Sequence, residues 1–167
     1  MFKKTIIFLF TYFCFINLSI NAADNNGSQT ITGLPKIKGK KLSSYILAEK
    51  KINKAIKLEN KGKIKKSIKL YKEAINYLLK ENKERPVNPD TFNYLGFANK
   101  KIKNLEYAEI YYLLGLDLDP NNTDITKNLG ELYVETNRTD KAKELLKTLK
   151  GCNCEEYISL ENTISSK

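Results

Sequence analysis

Residues 89–122 read PDTFNYLGFANKKIKNLEYAEIYYLLGLDLDPNN, and residues 123–153 continue as TDITKNLGELYVETNRTDKAKELLKTLKGCN. Several positions of the first stretch recur in the second at one constant spacing, identical or similar in chemical type. These positions are Leu95, Gly96, Ala108 and Tyr112, which recur as Leu129, Gly130, Ala142 and Leu146. Because self-similarity at a fixed period is typical of repeat proteins, this pattern predicts an array of stacked structural units.

The length of this period and the choice of small and large residues resemble the tetratricopeptide repeat (TPR). Further matches to the family pattern are Phe92, Pro120 and Tyr133. Three positions depart from it: Asn99 and Thr126 stand where aromatic residues are usual, and Cys154 stands where a closing Pro is expected. The resemblance implies an all-α fold, namely a short TPR solenoid of antiparallel helix pairs.

A third, degenerate unit is predicted upstream, at about residues 48–88. The residues that can be aligned with the family pattern there are Ala55, Gly62, Ser67, Tyr71 and Ala74, although Lys54 stands where a Leu belongs. The step from Ser67 to Ala108 is longer than the period, so about seven extra residues are expected around Glu84–Asn88. The predicted TPR domain, residues 42–167, thus reaches the three units that such arrays usually need.

Each unit is a pair of helices that cannot bury its apolar faces alone, so neighbouring units must stack. We expect Gly96 and Gly130 to let the first helix of each pair approach the second closely. Ala108 and Ala142, the small residues of the second helices, should allow the same close approach. The predicted core consists of Phe92, Leu95, Tyr112, Leu116, Leu129, Tyr133, Leu145, Leu146 and Leu149.

A capping helix is predicted at residues 154–166, because Tyr157, Leu160 and Ile164 are spaced for one helical face. A solenoid needs such a cap to cover the exposed edge of its last unit. The segment Cys154-Glu155-Glu156-Tyr157 also resembles the ending of small bacterial TPR proteins that carry signal peptides.

Three interpretations remain open for Cys152 and Cys154. The pair can form a structural disulfide or remain as inert thiols. It can instead be redox-active, because so tight a loop departs from relaxed disulfide geometry and is easily reduced. A metal site is disfavoured, because it needs about four ligands and the chain contains no His.

The composition argues against catalysis. Without His, the chain has no Ser-His-Asp or Cys-His arrangement and no imidazole metal ligand. It also lacks a Gly-rich phosphate loop and a nucleophile elbow. The sequence therefore predicts a protein that is not an enzyme and binds no cofactor.

Residues 1–22 have the layout of a secretory signal peptide. Lys3 and Lys4 precede the mostly apolar run from Thr5 to Ile20, and Ala22 offers a small residue for cleavage. Residues 23–41 are rich in Asn, Gly, Ser, Thr and Lys and predict a flexible linker. The predicted location is the periplasm, with secretion or an uncleaved anchor in the inner membrane as alternatives.

The leading functional prediction is an exported scaffold that binds a protein or peptide partner in its concave groove. By resemblance, the groove should be lined by Asn93, Phe97, Lys100, Lys101, Lys127, Glu131 and Glu135. One mode in this family holds a peptide's C-terminal carboxylate with Lys and Asn at set groove positions. Phe97 and Glu131 occupy two of those places, so binding of chaperone tails is not predicted.

An alternative function follows from the uneven charge. Residues 34–72 contain 14 Lys and two Glu, whereas residues 89–167 contain ten basic and 13 acidic residues. This Lys-rich block, residues 34–72, favours a cationic binder of anionic lipid or cell-envelope polymer. Ordinary solvation of helix surfaces is the better-supported explanation of these lysines. Nucleic acid is not expected as a partner, because no nucleic-acid motif is present.

Overall fold

The computed structural model of the chain describes residues 43–167. The predicted signal peptide, the predicted linker and the beginning of the Lys-rich block lie outside the described residues. Seven α-helices occur in the described range: α1 (Ser44–Glu59), α2 (Ile64–Glu84), α3 (Pro89–Lys101), α4 (Leu105–Leu118), α5 (Thr123–Glu135), α6 (Thr139–Thr148) and α7 (Glu155–Ser165). No strand occurs between residues 43 and 167, which confirms the predicted all-α class for this range. None of these helices is long and apolar enough to cross a membrane.

The helices form three antiparallel pairs in two layers. Short turns join α1 to α2, α3 to α4 and α5 to α6, and each helix packs along its partner. The first helices, α1, α3 and α5, also contact one another and form an inner layer, whereas α2, α4 and α6 form an outer layer. Helix α7 packs against α5 and α6 and closes the array at its C-terminal end.

The same tight turn ends the first helix of every pair. Its key residue has a left-handed backbone: Gly62 at φ 69°, Lys103 at φ 67° and Asn137 at φ 60°. In each turn the next backbone N–H donates to the carbonyl five positions earlier, as Asn104 does to Asn99 at 2.9 Å. Such a bond satisfies a carbonyl that the ending helix leaves free. The first pair shares this turn, so it follows the repeat despite its degenerate sequence.

Helix α2 differs from its counterparts in length. It has 21 residues against 14 in α4, seven more. The extra residues were expected around Glu84–Asn88, but all seven prolong the helix instead, because no Pro or Gly occurs between Ile64 and Pro86 to stop it. The added turns pack against the start of α1, where the Glu81 carboxylate accepts the Tyr45 backbone N–H at 3.1 Å. Glu81 also pairs with Arg85 at 2.6 Å.

Gly96 and Gly130 are both sites of close approach, but to different partners. A Cβ atom on Gly96 would lie 2.5 Å from the Tyr112 ring of the paired helix α4, as the sequence predicts. A Cβ atom on Gly130 would lie 2.6 Å from Leu160, which belongs to α7 and not to the paired helix α6. The expectation for Gly130 was therefore wrong, because the capping helix supplies the side chain that fills this position.

Most of the predicted packing residues are buried. The buried ones are Phe92, Leu95, Gly96, Ala108, Tyr112, Leu129, Gly130, Tyr133, Ala142 and Leu149. Leu116, Leu145 and Leu146 are half-buried, and Pro120 is exposed. Leu146 is less buried than its counterpart Tyr112. Leu160, which fits against Gly130, is completely buried.

The Tyr112 side chain gives a prediction about stability. It is fully buried, and its hydroxyl oxygen has no hydrogen-bond partner among the described residues. Because a buried polar group without a partner costs free energy, Tyr112→Phe should raise the free energy of unfolding by about 1 kcal/mol in urea denaturation. Tyr71, at the equivalent place in the first pair, donates to Glu59 at 2.8 Å, so Tyr71→Phe should lower it. Equal losses in both variants would contradict this account.

Candidate functional site

The inner helices enclose a pocket of about 220 Å³. Its lining consists of Glu59, Phe97, Lys100, Lys101, Lys103, Glu131 and Glu135. These side chains come from α1, α3 and α5 and from the turn that follows α3. The stacking of three helix pairs thus brings together charged groups that are distant in the sequence.

Three ion pairs cross the pocket between neighbouring helices. Lys101 lies 3.1 Å from Glu59, Lys100 lies 3.0 Å from Glu131, and Lys103 lies 2.7 Å from Glu135. Their side chains are partly exposed, so each pair contributes little to stability by itself. The three lysines and three glutamates cancel in formal charge. The pocket is therefore polar and charged, but close to neutral.

Phe97 is the aromatic side chain of this pocket. Its ring packs edge-on against Tyr71 with 6.1 Å between the ring centroids. The Lys101 ammonium lies 5.5 Å from the Phe97 ring centroid, within the range of a cation–π interaction. The half-buried ring thus serves the packing between the first two helix pairs and also presents a surface to the pocket.

Five of the seven residues predicted to line a groove lie in this pocket: Phe97, Lys100, Lys101, Glu131 and Glu135. The other two lie outside it. Asn93 accepts a hydrogen bond from Asn128 at 2.8 Å, and Lys127 lies 3.9 Å from Asp124 on its own helix.

Two pocket residues are absent from the sequence prediction. Glu59 stands in the first unit where Lys100 stands in the second, so alignment of the degenerate first unit with the second would have identified it. Lys103 occupies the left-handed turn position after α3, for which the repeat pattern gives no functional signal.

Protonation of Glu59, one of the pocket residues, should make the free energy of unfolding depend on pH. Burial raises its pKa, but hydrogen bonds from Tyr71 and Lys101 outweigh burial and hold the pKa below its usual value. A carboxyl group with a lowered pKa stabilises the fold above its unfolded pKa, and this contribution is lost as the pH falls through the folded pKa. Between about pH 5 and pH 3, the free energy of unfolding should therefore fall less steeply in Glu59→Gln than in the unchanged protein.

The measurement for Glu59 is chemical denaturation at a series of pH values. Tyr71→Phe removes one of the two hydrogen bonds to this carboxylate, so it should flatten the same part of the curve to a smaller extent. Parallel curves for all three proteins would show that Glu59 does not link pH to stability.

The structure joins Cys152 to Cys154 in a disulfide, with the Cα atoms 5.2 Å apart. The bond lies in the turn before α7, where Gly151 and Asn153 both have a left-handed backbone. Cys152 is exposed and Cys154 is half-buried. Within residues 43–167, no group of three or more Cys, Asp or Glu side chains is arranged to hold a metal ion.

Two family models match parts of the chain. A tetratricopeptide-repeat model matches residues 104–155, which run from α4 to the start of α7. A model of the MIT (microtubule interacting and transport) domain matches residues 47–109, which cover most of α1, all of α2 and α3, and the start of α4.

Solved TPR domains share the fold. The first TPR domain of Spaghetti (RPAP3), bound to the HSP90 peptide SRMEEVD, has a TM-score of 0.53 and 22% identity, covering 73% of this chain and 93% of that one. The first TPR domain of human RPAP3, solved by NMR, has a TM-score of 0.53 and 21% identity, covering 72% and 94%. The TPR2B domain of yeast Sti1 has a TM-score of 0.50 and 16% identity, covering 72% and 98%. The chain therefore has the fold of a TPR domain.

A curated relative gives a more local match. The Sol locus transcriptional repressor of Clostridium acetobutylicum is 34% identical over 62 residues, which are 37% of this chain and 20% of that protein. The chain thus spans about one fifth of the length of this relative. The chain is thus similar to tetratricopeptide-repeat proteins: the repeat model matches residues 104–155, and the spacing from Leu95-Gly96 to Leu129-Gly130 agrees with the repeat period.

Proposed function

We propose that the chain is an exported protein-interaction module that holds a peptide segment of a partner protein in the pocket around Phe97. The observation that carries this proposal is the set of pocket side chains contributed by three stacked helices. The similar domain of Spaghetti (RPAP3) is described as bound to a peptide, which supports the same class of ligand here. The proposal assigns no catalytic role and no cofactor to the chain.

The charges of the pocket favour an internal peptide segment over a C-terminal carboxylate. Each pocket lysine already faces a glutamate, so a lone carboxylate would have to compete with that glutamate for the lysine. A segment with both acidic and basic side chains can replace these ion pairs with new ones, because its acidic groups can pair with the pocket lysines and its basic groups with the pocket glutamates. An apolar side chain of the same segment can lie on Phe97, because aromatic anchors contribute disproportionately to binding.

The test is a selection from a displayed library of random peptides held at both ends within a carrier protein. Peptides selected on the mature protein, from Ala23 onward, should bind at least about tenfold more weakly to Phe97→Ala. Tyr107→Ala, on the opposite layer, is the matched control and should leave peptide affinity unchanged. Thermal unfolding of both variants shows whether Phe97→Ala acts through folding instead.

A charge-swap variant separates binding from stability. Lys100→Glu combined with Glu131→Lys restores an ion pair of reversed polarity, so the stability should stay near that of the unchanged protein. Affinity for the selected peptides should still fall, because the charges facing the peptide are exchanged. Peptides that bind this variant and Phe97→Ala as tightly as the unchanged protein would refute the pocket as the binding site.

We also propose export, on the strength of Lys3 and Lys4 followed by the apolar run from Thr5 to Ile20. The full chain, expressed in a bacterium that has a periplasm, should be recovered from the periplasm. Its intact mass should match a chain that begins at Ala23. A full-length mass in the membrane fraction would favour the uncleaved anchor, and a cytoplasmic full-length protein would refute export.

A further inference from the structure

Helix α4 carries an exposed apolar stripe on its outer side. Its five members are 40–57% exposed: Tyr107, Ile110, Leu113, Leu114 and Leu118. The opposite side of the same helix is buried through Ala108, Tyr112 and Gly115. Glu106 and Asp117 are the exposed charged residues of α4, near its two ends, and every exposed residue between them is apolar or aromatic. The stripe therefore indicates a surface that something else covers.

The repeat itself does not require apolar residues at these places. The positions equivalent to Tyr107, Ile110, Leu113 and Leu114 are Lys66, Lys69, Lys72 and Glu73 in α2, and Lys141, Glu144, Lys147 and Thr148 in α6. All but the half-buried Glu73 are exposed. The two flanking pairs fold with charged or polar residues there, so the stripe of α4 serves a purpose other than folding.

The charges of the outer layer indicate the chemistry of what covers the stripe. Nine exposed lysines on α2 and α6 form no ion pair with any described residue: Lys65, Lys66, Lys69, Lys72, Lys80, Lys83, Lys141, Lys143 and Lys147. Within the same described range, five acidic residues of α2, α4 and α6 are also without an ion pair: Glu84, Glu106, Asp117, Asp140 and Glu144. The remaining carboxylates, Glu73, Glu81 and Glu109, face Lys51, Arg85 and Arg138. Nine against five leaves an excess of four positive charges.

We propose that the outer layer docks on an anionic lipid bilayer, with the α4 stripe inserted at the level of the headgroups. A protein lying on a membrane needs both apolar insertion and attraction to anionic lipid, and the outer layer combines the two. Ile110, Leu113 and Leu114 supply apolar surface, and Tyr107 is suited to the boundary between water and lipid. The positions of α2 and α6 that are equivalent to the stripe are mostly lysines, which would then face the lipid phosphates. This surface is distinct from the pocket around Phe97, which the inner helices form.

The first test measures binding of the mature protein to vesicles by flotation. Vesicles of phosphatidylcholine with phosphatidylglycerol should bind at least about tenfold more tightly than phosphatidylcholine alone. The critical variant is Ile110→Lys with Leu113→Lys, which copies the residues of α2 and raises the positive charge. It should bind anionic vesicles at least about tenfold more weakly, because apolar insertion is lost. The matched control is Ile158→Lys, which replaces an exposed isoleucine on α7 and should keep or slightly strengthen binding.

The second test uses the absence of Trp from the chain. Tyr107→Trp places a single Trp on the stripe, and its fluorescence should shift to shorter wavelength on addition of anionic vesicles. Ile158→Trp should show no shift, because α7 is not part of the outer layer.

Three outcomes would overturn the lipid proposal. If the variant Ile110→Lys with Leu113→Lys binds vesicles as tightly as the unchanged protein, the lysines alone bind the lipid and the stripe does not insert. Absence of vesicle binding together with a dimer that these substitutions dissociate would assign the stripe to a second copy of the chain. Absence of both would leave the stripe without a membrane role. Peptide binding in the pocket can be measured without vesicles, so failure here does not decide the proposed function.

Discussion

Leu160→Ala is expected to lower the free energy of unfolding by about 2–5 kcal/mol, the range for removing a large buried aliphatic side chain. Leu160 is completely buried and lies where a Cβ atom on Gly130 would be, so its Cδ atoms contact the backbone of α5. Ala at this position leaves a cavity between α5 and α7 that the glycine cannot fill. The capping helix should then detach before the rest of the array unfolds.

Chemical denaturation and amide hydrogen exchange would measure both effects. Exchange should accelerate first in α7 and at the end of α5, and later in α1 to α3. Ile158→Ala is the matched control, since Ile158 lies on the same helix and is 57% exposed, and it should change stability by less than about 0.5 kcal/mol. Similar losses for Leu160→Ala and Ile158→Ala would show that α7 is not anchored through Gly130.

Gly130 also shows where reasoning from the repeat fails. The repeat period correctly pairs α3 with α4, because Gly96 and Tyr112 lie within one unit. For Gly130 the period predicts a partner in α6, but the last unit has no following unit to cover it. Helix α7 takes that place, and it lies outside the repeat pattern. A rule derived from internal units therefore does not predict contacts at the end of an array.

The length of α2 illustrates a second limit of the sequence. The spacing between Ser67 and Ala108 shows that residues are added, but periodicity does not tell whether they form a loop or a longer helix. The answer depends on tertiary contacts, since the added turns are stabilised where Glu81 meets the N-terminus of α1. Local signals at Pro86 and Pro89 correctly mark the end of α2 and the start of α3.

Part of the candidate site could be predicted from the sequence, namely the residues whose positions follow from aligning one repeat unit with the next. The alignment of α3 and α5 predicts most of the pocket lining, including Phe97 and Glu131. The pairing of each lysine with a glutamate from another helix was not predictable, because it depends on the stacking of α1, α3 and α5. This pairing decides the kind of peptide that the pocket favours. The exposed stripe of α4 was also missed, since apolar residues on a helix are first interpreted as core.

Gly96→Leu is expected to destabilise the protein by about 1–3 kcal/mol, because the new side chain enters a packed interface. Its Cβ atom alone would lie 2.5 Å from Cε1 and 2.6 Å from Cδ1 of the Tyr112 ring. The ring is completely buried and cannot move into solvent, so α3 and α4 must separate. Urea denaturation measures the loss, and circular dichroism at low denaturant should show that the helices remain.

A double-mutant cycle with Tyr112→Ala tests whether this contact is the cause. Tyr112→Ala alone creates a cavity and should cost about 3–5 kcal/mol. If the leucine at position 96 fills the space of the missing ring, the double variant should lose clearly less than the sum of the two single losses, by about 0.5–3 kcal/mol. Additive losses would instead mean that Gly96→Leu acts elsewhere, for example by changing the backbone of α3. In that case Gly96 would be needed for the backbone of α3 and not for the close approach of α3 to α4.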